Sequence, residues 1–137
     1  MKNMTNYMHR VTPDIIDTLK DGEIFVFGSN CQGYHGGGAA LTAMRKFGAI
    51  YGQGDGLQGR SYGISTMEGV SAMKENIDRF IAFAKVHQEL TFLVTRIGCG
   101  IAGYSVETVA PLFKGALKVE NIHLPEDFWQ VLLRVEE

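Results

Sequence analysis

Between the apolar run 91–97 (TFLVTRI) and Ser105 lies the loop Gly98-Cys99-Gly100-Ile101-Ala102-Gly103, half of it glycine. Glycine lets backbone turn at positive φ and lets another group come close to it. The run before the loop reads as a strand, and Ser105 can cap the helix that follows. In open α/β sheets ligands sit outside the carboxyl ends of the strands. A helix N-terminus adds free N–H groups and the positive end of its dipole. This order of elements favours an anion, most simply a phosphate. The spacing is formally G-x-G-x-x-G, which alone is a weak sign of a dinucleotide fold. It starts too late in a chain of 137 residues for a full doubly wound half. The acid expected ~20 residues further on is missing, since Glu120 falls near a strand's start. A plain tight turn would use the same glycines, but the flanks favour binding.

A second loop runs from Gly28-Ser29-Asn30 to His35-Gly36-Gly37-Gly38, again from strand to helix. Asn30 has donors and an acceptor suited to ribose hydroxyls. Three successive glycines are entropically expensive to order, so a loop without a ligand would rarely use them. A third glycine-rich stretch, 48–63, holds Gln53, Asp55, Gln58 and Arg60, which can either recognise polar ligand edges or belong to a mobile flap.

Two residues in these loops are candidate catalysts. His35 can act as general acid or base near neutral pH, or can order its loop. Asp55 can position a water, or be a turn residue in Gly54-Asp55-Gly56. Cys99 lies where a helix N-terminus would lower a thiol pKa, but no histidine is near it in sequence, so it reads as a small residue that permits close approach. Arg96 can pair with a phosphate or with an acid. His9, His87 and His123 have no metal-ligand spacing, and neither a metal nor a cofactor is expected.

Alternating strands and helices must position these loops. Thr12-Pro13 predicts a helix over 14–20 that stops at Gly22. The stretch 23–27 (EIFVF) predicts a strand buried on both faces. A helix is expected over 39–47, ending at Gly48. The stretch YGQGDGLQGR is expected to lack regular structure, and 62–66 to form a short strand. Ser71 is expected to cap a helix reaching residue 89, with Met73, Ile77, Phe80, Ile81 and Ala84 on its buried face. Pro111 should bend or shorten the helix after Ser105. A last strand over 119–124 and a helix over 126–134 follow, with Phe128 and Trp129 fastening that helix to the core. The pattern is a single α/β domain over 1–137 with a largely parallel sheet.

Composition narrows the field. The 17 glycines are about 12% of the chain, against ~7% usually, and they cluster in the three loops. A formal net charge of −2 gives no basic field for wrapping nucleic acid. No run approaches the ~20 apolar residues of a membrane span, and MKNMTNYMHR is no secretory signal. The two cysteines form no CxxC pair. A reduced, cytoplasmic setting is expected.

Cys99-Gly100-Ile101-Ala102-Gly103-Tyr104 resembles the phosphate loop of the macrodomain family, with cysteine in place of the usual Ser or Thr. Asn30 and Gly36-Gly37-Gly38 resemble that family's ligand-binding Asn and triple glycine, with Cys31-Gln32-Gly33-Tyr34-His35 between them. The chain is also similar to small bacterial and phage proteins that carry GSN…HG…GAA and RIGCGIAG motifs and are themselves macrodomain-like. The resemblance, over about residues 23–125, implies a three-layer α/β/α sandwich around a mixed sheet. It implies binding of ADP-ribose or a related nucleotide, free or attached to a macromolecule. The diphosphate would lie over Gly98–Gly103, and the distal ribose near Asn30, Gly36–Gly38 and Tyr104. The ligand-binding set is then Gly28, Ser29, Asn30, Gly36, Gly37, Gly38, Gly98, Cys99, Gly100, Ile101, Ala102, Gly103 and Tyr104. No carboxylate for the adenine amine is identified before Asn30. Three functions remain open: a binding domain, a hydrolase of ADP-ribosyl or ADP-ribose-phosphate groups, and a protein-interaction module.

Overall fold

The stretch EIFVFGS has no charge after its first residue, so as a strand it must bury both faces. It forms β1 (Glu23–Ser29), and Ile24, Phe25, Val26 and Phe27 are all buried. The structure, a computed structural model, describes residues 4–135. β1 is the middle strand of a five-stranded sheet in the order β2-β3-β1-β4-β5. It pairs in parallel with β3 (Ser61–Ser65) on one side and β4 (Thr91–Val94) on the other. β5 (Ile122–His123) extends the parallel set, while β2 (Gly56–Gln58) runs antiparallel to β3. The fold is α/β with a mixed sheet, as expected.

Successive strand side chains point to opposite faces. Ile24 and Val26 enter a large core cluster with Tyr62, Ile64, Phe92 and Val94. Helix α2 (Val70–Lys85) covers this side, burying Met73, Ile77, Phe80, Ile81 and Ala84 as its spacing predicts. So does α4 (Glu126–Val135), through fully buried Phe128 and Trp129. Phe25 and Phe27 enter the opposite cluster, with Ala40 and Ala43 of α1 (Gly38–Lys46), and with Phe47 and Ala49.

Several elements differ from expectation. Residues 13–20 form no helix. The segment DIIDTLK is rich in β-branched residues and too short to nucleate a stable helix alone. Arg60 also takes the carbonyls of Leu19 and Lys20, both at 3.0 Å. Ile16 and Leu19 still reach the smaller core cluster, from an irregular segment. β1 continues past Phe27, because Gly28 and Ser29 pair with Ile64 and Ser65 instead of ending the strand. The stretch expected to be irregular contains β2. α2 starts two residues early, with Gly69 rather than Ser71 as its cap, and ends at Lys85. β4 stops at Val94, where Ile97 N–H turns back to the Thr95 carbonyl at 2.7 Å. β5 is reduced to two residues, and Leu124 makes a parallel bridge with Val11. Ser105 does cap its helix, its Oγ accepting from Thr108 N–H at 3.2 Å. That helix, α3 (Val106–Val109), is only four residues long and passes at Pro111 into a 3-10 helix, Ala110–Ala116.

Arg10 closes the fold. It ends a 3-10 helix, Met4–Arg10, and is 2% exposed. Its guanidinium donates to the carbonyls of Ala116, Leu117, Val119 and Ile122 at 2.8–3.0 Å. It also lies over the Trp129 ring, 4.8 Å from its centroid, and Trp129 Nε1 donates to the Arg10 carbonyl at 2.8 Å. Burial pushes the guanidinium pKa down, and the charge of Glu120 opposes the shift. Of these four carbonyls Ala116 and Val119 also accept from the Val119 and Ile122 N–H groups, both at 3.0 Å. Each charge-assisted bond lost and each buried acceptor left without a donor costs about 1–3 kcal/mol. Arg10→Met is therefore expected to destabilise by at least ~3 kcal/mol and to lower the thermal midpoint by about 10 °C, as read by circular dichroism.

Candidate functional site

Beyond the carboxyl ends of β3, β1 and β4 the chain leaves the sheet in three loops, and a cleft of about 330 Å³ opens between them. β1 contributes Gly28, Ser29 and Asn30; β3 leads into Thr66 and Met67; β4 leads into Thr95, Arg96, Ile97 and Gly98. Gly36, Gly37, Gly38, Ala39 and Ala40 form a further wall where α1 begins, and Gly100, Ile101 and Ala102 close the cleft. The structure thus brings together most residues expected to bind ligand.

The glycines here serve different ends. Gly98 has φ +76°, and a Cβ on it would press on Met73 and Val109 at 3.1 Å, so the core itself requires glycine there. Gly36, Gly37 and Gly100 are unlike it: none has positive φ, and a Cβ on any of them would meet nothing within 4 Å. Neither local conformation nor packing within the protein calls for glycine at these three places. Their bare backbone faces the cleft.

Polar groups are arranged as follows. Asn30 Oδ1 accepts from Tyr34 N–H at 2.9 Å, and Asn30 Nδ2 donates to the Tyr34 carbonyl at 3.1 Å. This leaves the side chain one N–H and one lone pair for a ligand. Gly38, Ala39 and Ala40 sit at the start of α1, ahead of its first intrahelical bond from Leu41 N–H to the Gly37 carbonyl. Their N–H groups are the helix-terminal donors that line the cleft. The helix after Gly98–Gly103 was expected to take this part, but a single α-helical turn offers little dipole.

Cys99, Gly103 and Tyr104 are outside the cleft lining. Cys99 and Tyr104 pack partly buried against the larger core cluster. Burial, with the charge of Asp127, pushes the Cys99 thiol pKa up, away from an activated thiolate. His35 is fully buried under its loop, edge-on to Phe27 with centroids 5.2 Å apart, and also does not line the cleft. Neither of its ring nitrogens has a hydrogen-bond partner among the described residues. Asp55 accepts from Ser65 N–H at 2.9 Å and from Ser65 Oγ at 2.6 Å. The other polar side chains of that stretch are engaged likewise: Gln53 with backbone carbonyls, Gln58 with the Ile50 N–H at 2.8 Å, and Arg60 with Leu19 and Lys20. These bonds fasten the stretch in place.

A second cavity, also about 330 Å³, adjoins the cleft and shares Ala39, Thr95 and Arg96 with it. Its walls are the irregular segment 12–17, Phe25, Thr42, Lys46 and Pro125. It combines apolar surface from Pro13, Ile15, Ile16 and Phe25 with the carboxylates of Asp14 and Asp17. The buried Thr12 Oγ1 has no partner among the described residues. Arg96 stands between the two spaces, with Nε 2.9 Å from Asp127 Oδ2 and an Nη 3.4 Å from Asp14 Oδ1. The sequence reading missed this cavity because it placed 14–20 in a helix. The available signal was Asp14-Ile15-Ile16 just before the central strand, with acidic and apolar residues side by side.

Among the described residues no three His, Cys, Asp or Glu side chains gather as a metal site would need, and no helix is long and apolar enough to cross a membrane. No protein-family model, curated protein or solved structure matches the chain.

Proposed function

We propose that this protein binds ADP-ribose or a closely related nucleotide diphosphate ribose, on a three-layer α/β/α fold of the macrodomain kind. The observation that carries the reading is the bare backbone of Gly36, Gly37 and Gly100. These glycines line a cleft at the carboxyl ends of parallel strands, where nothing in the protein itself asks for glycine. A diphosphate needs such backbone, since its oxygens must come within about 3 Å of N–H groups. The start of α1 supplies such groups, and Asn30 keeps a donor and an acceptor for a sugar hydroxyl. The adjoining cavity suits a planar base, with apolar walls for its faces and Asp14 to accept from an exocyclic amine.

Binding is favoured over hydrolysis. The two expected catalysts are turned to other work, His35 beneath its loop and Asp55 on Ser65. The ionisable side chains lining the cleft proper are Arg96, already paired with two carboxylates, and Tyr34. The hydrogen bond and charge of Asp127 hold the Arg96 pKa up, so the guanidinium supplies no base.

Calorimetric titration tests the proposal. ADP-ribose should bind with micromolar affinity and AMP much more weakly; absence of heat with both would refute it. Gly37 has extended backbone, φ −163° and ψ 172°, which any residue adopts. Gly37→Val should therefore change stability by no more than ~1 kcal/mol, as for an N-cap replacement. It should still weaken ADP-ribose at least tenfold, by placing carbon where the ligand lies. Asp14→Ala should reduce the preference for ADP-ribose over its hypoxanthine counterpart by about tenfold or more, the value of one hydrogen bond to a charged acceptor.

A further inference from the structure

Large apolar side chains ring the mouth of the cleft, and a nucleotide diphosphate ribose gives them nothing to hold. Tyr34, Met67 and Ile101 all line it, yet they are 58%, 48% and 84% exposed. Exposed apolar surface gathered at a ligand site marks a contact still to be made. Tyr34 is the most specific of the three. Its ring stacks on that of Tyr51, with centroids 5.8 Å apart and planes 22° from parallel, and Tyr51 is itself 62% exposed.

The pair is built into the backbone. The Tyr34 N–H and carbonyl are both held by the Asn30 side chain. The residues next to the two tyrosines, Gly33 and Gly52, are joined by a hydrogen bond from Gly52 N–H to the Gly33 carbonyl at 2.9 Å. A Cβ on Gly33, whose φ is +71°, would collide with the backbone of Gly52 and Gln53. This junction brings the two rings into register. Two near-parallel rings beside a polar cleft make a platform for a third planar ring. An aliphatic partner would need neither their orientation nor their closeness to bare backbone.

Tyr34 belongs to the part of the cleft that the second cavity does not share. The second cavity accounts for one base. We infer that the ligand carries a second planar heteroaromatic ring, stacked on Tyr34, so that the substrate class is a dinucleotide: two nucleosides joined through a diphosphate. This rests on the function proposed above and narrows it.

The test compares ADP-ribose with NAD, a dinucleotide that differs by one ring on the distal ribose, on the unaltered protein and on Tyr34→Ala and Tyr34→Phe. Stacking of a base on an aromatic side chain corresponds to about five- to 150-fold in affinity. NAD should bind at least fivefold more tightly than ADP-ribose. Tyr34→Ala should abolish that advantage by weakening NAD at least fivefold more than ADP-ribose, and Tyr34→Phe should keep it. If ADP-ribose binds and NAD binds no better, the dinucleotide inference falls while the proposed function stands. Equal weakening of both ligands by Tyr34→Ala would likewise overturn it, making Tyr34 a loop-ordering residue. If neither ligand binds, the proposed function fails and the inference with it.

Discussion

Among the described residues one buried positive charge has no carboxylate partner, and much of the protein's shape follows from how that charge is satisfied. Arg10 is dissolved in backbone carbonyls, and an aromatic face lies beside it. Guanidinium suits the place, since its donors form a planar fork and it is less strongly hydrated than an ammonium. The acceptors run from the end of the 3-10 helix, Ala116, through Leu117 and Val119 to Ile122 at the start of β5. The arginine ties this turn together. With this stretch fixed, Thr12 N–H donates to the Leu124 carbonyl at 2.9 Å, and the segment that follows is set along one wall of the second cavity. A contact at the edge of the sheet thereby sets the shape of a cavity beside its centre.

The glycine loops show two uses of one residue type. In 48–63 glycine serves the protein: Gly59 lies against Gly48, and Gly63 against Gly54, closer than any side chain permits. Around the cleft, Gly36, Gly37 and Gly100 leave room that the protein does not fill. Sequence clustering alone does not separate the two uses, because both place glycine in loops. What separates them is the space beside each Cα.

How much of this could be read from residue order depends on the range of the interaction responsible. The central strand and the buried face of α2 follow from local patterning and agree with expectation. The cleft residues Gly28–Asn30, Gly36–Gly38, Gly98 and Gly100–Ala102 could be found because each group lies where the chain passes from a strand toward a helix. The irregular course of 13–20 could not, since it is held by contacts distant in sequence, with Arg60, some 40 residues away, on the carbonyls of Leu19 and Lys20. The engagement of Asp55 by Ser65 and the burial of His35 behind Phe27 arise from the approach of separate elements in the same way. Asp14 was hidden by the helix assigned to it.

The sequence distance spanned by Arg10 has a consequence for the order of events during synthesis. Its acceptors lie 106 to 112 residues further along the chain. On a ribosome the arginine emerges long before them, and the central strand and its parallel neighbours can pair while it is still in water. Segment 12–17 can dock only after β5 has been made. The cavity it walls is therefore completed only after the central strands of the sheet have had time to pair.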